Sequence, residues 1–153
     1  MIVSEPVPGR LALAAAFPAT GAIDPSQEDV ASAFEHAAGG PPDVIFECVG
    51  APGLIQHSVD LVRPKGQLVV VGACMGADEW KPASAIQMAL TFHFSIGYRV
   101  RHFQLAVDML AAGRIHASAM ITRTVGFEQF ADAFEALKRP STQCKVILEP
   151  AAA

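Results

Sequence analysis

Gln67-Leu68-Val69-Val70-Val71-Gly72 is an almost uniformly apolar run closed by a glycine. A run of about four to eight such residues between turn signals suits a strand buried on both faces, as parallel strands covered by helices are. Pro64-Lys65-Gly66 turns the chain into it, after a helical stretch from Leu54 to Val62. Upstream, Asp43-Val44-Ile45-Phe46-Glu47-Cys48-Val49-Gly50 repeats the arrangement of strand followed by glycine. Downstream, Leu90-Thr91-Phe92-His93-Phe94-Ser95-Ile96 alternates apolar and polar residues, as an outer strand with one solvated face does.

The same alternation of helix and strand extends to both ends. Met1-Ile2-Val3-Ser4-Glu5 is a short apolar strand tipped by a carboxylate. Pro8-Gly9-Arg10 starts a helix over Leu11 to Phe17, with proline in a favoured first-turn position. Ala22-Ile23-Asp24 reads as a short strand. Ser26 is then expected to cap a helix, with Asp29 completing a capping box in acid form. That helix runs through Phe34 to Gly39-Gly40, where glycine takes the left-handed stop and Pro41-Pro42 prevents continuation. Two amphipathic helices follow, around Phe103 to Leu110 and Phe127 to Leu137, and Cys144-Lys145-Val146-Ile147-Leu148 closes the chain as a strand. The pattern predicts an α/β fold with a mainly parallel, Rossmann-like sheet.

Composition narrows the function. The chain has 153 residues, 52% hydrophobic and 17% charged, which suits one well-buried globular domain. A net charge of −4 gives no basic footprint for nucleic acid or an anionic membrane. No run approaches the ~18 apolar residues needed to span a bilayer. Leu11-Ala12-Leu13-Ala14-Ala15-Ala16-Phe17 has the composition of a signal-peptide core, but it is short for one and Glu5 spoils a positive leader. Cys48, Cys74 and Cys144 are odd in number and widely spaced, so they form neither a disulfide framework nor a zinc pattern. A reducing cytoplasm is the expected compartment.

The chemistry-bearing residues gather at strand ends. Ligands bind beyond the carboxyl ends of strands in open α/β sheets, which is where Glu5 sits. A carboxylate there accepts both ribose hydroxyls of an adenosine and repels a 2′-phosphate; the plainer reading is a solvated acid. In a dinucleotide-binding unit such an acid follows a G-x-G-x-x-G loop by about 20 residues. No such loop occurs in the chain, which reads as entering its fold partway. Arg10 is placed to stack on adenine or contact phosphate, or is an ordinary helix-surface cation. Val49-Gly50 and Val71-Gly72-Ala73 each follow an apolar strand directly, and glycine there either admits a ligand to the backbone or simply makes a turn.

Other candidates carry less. His36, His57, His93, His102 and His116 form no H-x-x-x-H or H-E-x-x-H pattern. Cys48 has no evident base beside it and reads as a buried structural thiol. Neither a G-x-S-x-G elbow nor a P-loop is present. Phe127, Phe130 and Phe134, at helical spacing, are expected in the core.

The order of these pieces resembles the nucleotide-binding half of the medium-chain dehydrogenase/reductase family, the zinc-type alcohol and polyol dehydrogenases. The resemblance rests on Glu5 to Arg10, Ile23-Asp24-Pro25, the runs at 43–50 and 66–72, Leu90 to Tyr98 and Lys145-Val146-Ile147-Leu148, and it covers essentially the whole chain. It implies that Glu5 binds the adenosine ribose, with Arg10 near the adenine or its ribose, and that Val49 and Gly50 line the cofactor cleft. Val71, Gly72 and Ala73 would meet the nicotinamide end, Ser95, Ile96 and Gly97 would offer backbone to the carboxamide, and Lys145 would face the pyrophosphate. Glu5 favours NAD over NADP.

Departures from the family pattern are as informative. Its zinc-ligand motifs, structural-zinc cysteines, first Rossmann strand and glycine loop belong to upstream sequence absent here, and Pro18 stands where a glycine commonly ends the preceding helix. The expectation is therefore a partial dinucleotide-binding domain over 1–153, with a catalytic-domain strand at about 140–150. Loss of the central strand between those at 1–4 and 43–49 predicts exposed strand edges and a chain that is unstable, rearranged or oligomeric alone. The final strand is expected to lose its usual partner. The implied activity is that of a C-terminal fragment of an NAD-dependent oxidoreductase, catalytically silent alone, with zinc bound only by the parent. Alternatives are a zinc-independent quinone or enoyl reductase fragment, or a non-catalytic nucleotide-binding module dimerising through the strand at 92–96.

Overall fold

The computed structural model describes residues 1–139 and 142–150. The chain divides into two compact units, one of residues 1–30 and 100–153, the other of residues 31–99. All strand pairing is parallel, so the α/β expectation holds.

In the second unit, β3 (Val44–Glu47), β4 (Gln67–Val70) and β5 (Thr91–Phe94) form one sheet in that order. β4 is central, as its apolar run predicts, and β5 lies at an edge, as its alternation predicts. Ile45, Leu68 and Phe92 share one register position and therefore one face. The helix α3 (Leu54–Leu61) brings Val59 onto Leu68 and Val70, with Ile55, Trp80 and Leu90 around them. Trp80 stacks on Phe92 with ring centroids 5.1 Å apart. A short helix, α4 (Pro82–Gln87), starts on proline and adds buried Ala85. On the opposite face Val44 and Phe46 remain exposed.

Entry to this unit differs from expectation. The second helix of the chain, α2, begins at Val30 and runs to Ala38, so Ser26 is not its cap. Instead the Asp24 carboxylate accepts hydrogen bonds from both the N–H and the hydroxyl of Ser26, closing an Asx-type turn first. Gly39, at φ +79°, supplies the expected left-handed stop.

In the first unit, β1 (Ile2–Ser4) pairs with β2 (Gly21–Ile23), and β6 (Ile121–Val125) with β7 (Lys145–Leu148). The stretch expected as one helix from Pro8 is a short α1 (Pro8–Leu11) continuing as a 3-10 helix over Ala12–Ala16. The sequence reading passed over β6, whose polar Thr122, Arg123 and Thr124 hide the strand signal. The last strand thus finds a partner within the chain. Of the strand placed at 140–150, positions 140 and 141 lie outside the described residues.

Helices α5 (Val100–Ala111) and α6 (Phe130–Ala136) depart most from expectation. No residue of α5 is buried, and Phe103, Leu105 and Val107 are each more than half exposed. Phe127, Phe130 and Phe134 are not core either, at 60%, 50% and 54% exposure. The face that α6 buries carries the small Ala133, at 3%. Helical spacing finds an apolar stripe but not whether anything covers it, and here the rings of Phe130 and Phe134 lie against each other with centroids 5.6 Å apart. Among the described residues no helix is long and apolar enough to cross a membrane.

Candidate functional site

Glu5 follows the carboxyl end of β1, held there by its N–H bond to the Ile23 carbonyl at 3.1 Å. Its Oε1 accepts from the Val7 N–H at 2.9 Å and from Arg10 Nη2 at 2.8 Å. Two of the residues singled out in the sequence are thus brought together as an ion pair, the arginine placed one turn along by Pro8. Both bonds fall on one oxygen. The carboxylate is half-buried at a parallel strand end, and its second oxygen suits a hydroxyl donor. Lys145 is exposed at the start of β7.

In the other unit, the turns after β3 and β4 pack directly on one another. Gly50 has φ +73°, and a Cβ there would lie 2.5 Å from the Ala73 nitrogen. A Cβ on Gly72 would lie 2.6 Å from Glu47 Oε2 and 2.8 Å from the Gly50 Cα. Both glycines therefore have a packing reason that needs no ligand. Val49 and Val71 stand exposed beside them, at 73% and 46%. Ser95, Ile96 and Gly97 follow β5 and are exposed, with the Ser95 N–H donated to the Val70 carbonyl at 2.9 Å. Val49, Gly50, Val71, Gly72 and Ala73 thus form one cluster.

The sequence reading missed the residue beneath this cluster. Glu47 is 6% exposed, and its Oε1 accepts from the Val49 and Gly50 N–H groups, both at 2.7 Å. A charged residue ending an otherwise apolar strand was the available signal, since buried carboxylates require such partners. Cys48 lies on the exposed side of the turn rather than in the core. Partial desolvation of its sulfur, and then the adjacent Glu47 charge, push its thiol above the ordinary value of 9.0. Both causes disfavour the thiolate, so its alkylation should set in at higher pH than for a free cysteine. Mass-resolved iodoacetamide labelling across pH checks this: the midpoint should fall in a Glu47→Gln variant, and an unchanged midpoint would contradict the assignment.

Among the described residues no three His, Cys, Asp or Glu side chains gather as a metal site requires. These residues do not fit zinc, and no step through zinc is assigned to them.

Residues 1–112 match the family model for zinc-binding dehydrogenases. The chain belongs to the zinc-binding dehydrogenase family. Over 152 residues it is 30% identical to an uncharacterised zinc-type alcohol dehydrogenase-like protein of Escherichia coli K12, covering 95% of this chain and 41% of that protein. It resembles the NADH complex of the short chain alcohol dehydrogenase RspB of Escherichia coli CFT073, with TM-score 0.85 and 26% identity over 96% of this chain and 43% of that one. An NADP-bound candidate zinc-binding dehydrogenase of Sinorhizobium meliloti 1021 matches with TM-score 0.83 and 27% identity, covering 97% and 44%. The chain therefore spans about two fifths of the length of these family members. The solved ones include both an NADH and an NADP complex.

Proposed function

We propose that the chain is the cofactor-binding part of an NAD-dependent alcohol or polyol dehydrogenase, with Glu5 as the ribose ligand. The observation that carries the reading is the Glu5 carboxylate at the end of a parallel strand, fixed by Val7 and Arg10. A fixed carboxylate binds a vicinal diol through two charge-assisted hydrogen bonds and repels a phosphate on the 2′ oxygen. Arg10 neighbours the adenine or its ribose, and Lys145 faces the pyrophosphate. Val49 and Gly50 line the cleft. Val71, Gly72 and Ala73 meet the nicotinamide end, and Ser95, Ile96 and Gly97 offer backbone to the carboxamide. The bound cofactor supplies hydride chemistry; what these residues contribute is binding and orientation. The parent reaction is oxidation of an alcohol or its reverse, and this chain alone is catalytically silent.

Glu5→Ala is expected to weaken NADH binding about tenfold or more while leaving NADPH binding little changed or improved. Fluorescence titration with both cofactors measures this. Equal losses for the two would remove the ribose role.

The same reading includes a homodimer through the free edge of β5, where Phe94 and Ile96 are exposed at 64% and 99%. Sedimentation equilibrium should show a dimer that Ile96→Lys dissociates, and a monomeric wild type would exclude it. The compartment proposed is a reducing cytoplasm, in which Cys48, Cys74 and Cys144 stay free thiols.

A further inference from the structure

Helix α5 carries its charges the wrong way round for a helix on its own. Its first turn holds Arg101 and no acid, and its last turn holds Asp108 and no base. Each charge thus faces the like-signed end of the helix dipole. Their neighbours offset neither: Arg101 Nε donates to His102 Nε2 at 3.3 Å, and Asp108 Oδ1 accepts from Gln104 Nε2 at 2.9 Å. Alongside them runs an apolar stripe of Val100, Phe103, Val107 and Leu110, exposed at 86%, 63%, 58% and 47%. Met109, the partly buried residue of α5, lies about 140° round the helix from the middle of that stripe. The stripe is therefore on the solvent side.

We propose that α5 docks through this stripe on the α5 of a second copy, antiparallel about a two-fold axis. Val100 then packs on the partner's Leu110 and Phe103 on the partner's Val107, as apolar seams of this spacing do. Arg101 and Asp108 are two turns apart and share one side of the stripe. The two-fold therefore sets Arg101 beside the partner's Asp108, twice over. Each charge also gains the opposite end of the partner's dipole, so the placement that is unfavourable in one helix becomes favourable in the pair. The stripe of Phe127, Phe130, Phe134 and Leu137 has the same spacing and similar exposure. There the places of Arg101 and Asp108 are taken by Glu128 and Glu135, so self-pairing offers no opposite charge at either. Charge complementarity singles out α5.

The test is sedimentation equilibrium of the full chain across concentration. A 12-residue helix buries less than the ~1,200 Å² of a standard interface, so this contact is weak. Weight-average mass should rise towards twice that of the low-concentration species, or beyond, between about 10 µM and 1 mM. Ile96→Lys, which tests the β5 edge, should leave this rise in place, so the two contacts are read apart. Arg101→Asp and Asp108→Arg should each weaken the association about tenfold or more. Both variants put a charge where α5's own dipole favours it, so neither endangers the helix. An equimolar mixture of the two, and the double variant, should recover the association, which a local effect on either helix would not produce. Wild-type protein that gains no mass up to about 1 mM overturns the proposal and leaves the stripe to a different partner. Association that survives both single reversals, or that the mixture fails to recover, overturns it as well. Neither result bears on the cofactor reading, because α5 holds none of the residues assigned to that site.

Discussion

Gly72→Ala should destabilise the chain by about 3 kcal/mol or more, at the upper end of overpacking effects. A methyl at this position has no room. It would lie 2.8 Å from the Gly50 Cα, which is backbone, and 2.6 Å from Glu47 Oε2, whose carboxylate is held through its other oxygen by the Val49 and Gly50 N–H groups. Backbone must shift, and the backbone concerned carries the bonds from the Val49 and Gly50 N–H groups to Glu47. Loosening them leaves a buried carboxylate short of partners, which adds to the steric cost. Urea denaturation followed by circular dichroism reads the effect as a lowered midpoint with little change in slope. A loss below about 1 kcal/mol would show that the turns are not packed as described.

Leu68→Ala is expected to cost roughly 2–5 kcal/mol. Leu68 is fully buried on the central strand β4, between Ile45 and Phe92 on either side and beneath Val59. Truncation removes its transfer energy and leaves a cavity that a three-stranded sheet cannot easily close. Val59 shares the site, so Val59→Ala in the same chain should cost less than it does alone. Strict additivity of the two losses in urea unfolding would place them in separate clusters.

How much of this was legible in the sequence depended on the kind of signal. The run at 67–72 announced a doubly covered strand, and among the described residues β4 is the one strand paired on both edges. The alternation at 90–96 announced an edge, and β5 is one. Gly39 announced a helix stop through its conformational freedom, and its φ is +79°. These signals are local, and local physics decides them. Ser26 misled because serine and aspartate serve helix caps and Asx turns by the same hydrogen bond, and Asp24 was the stronger acceptor nearby. Phe127, Phe130 and Phe134 misled because periodicity describes a helix face, whereas burial needs a partner for that face.

The candidate site was legible in the same uneven way. Glu5 and Arg10 lie close in sequence, and the ion pair between them is short-range geometry. The glycines at 50 and 72 were visible as turns, yet their mutual packing joins positions distant in the chain. Glu47 was passed over because its importance comes from where its carboxylate ends, curled back on the turn that follows it. Its place at the end of an apolar strand was the available signal, and an acid at a solvated strand end gives the same one.

Calorimetric titration of the full chain with NADH, and then with NADPH, tests the central claim most directly. The account predicts a saturable, one-to-one NADH isotherm, with NADPH at least tenfold weaker because Glu5 repels a 2′-phosphate (about 1.4 kcal/mol). No heat of binding at millimolar NADH, or tighter binding of NADPH, would contradict it.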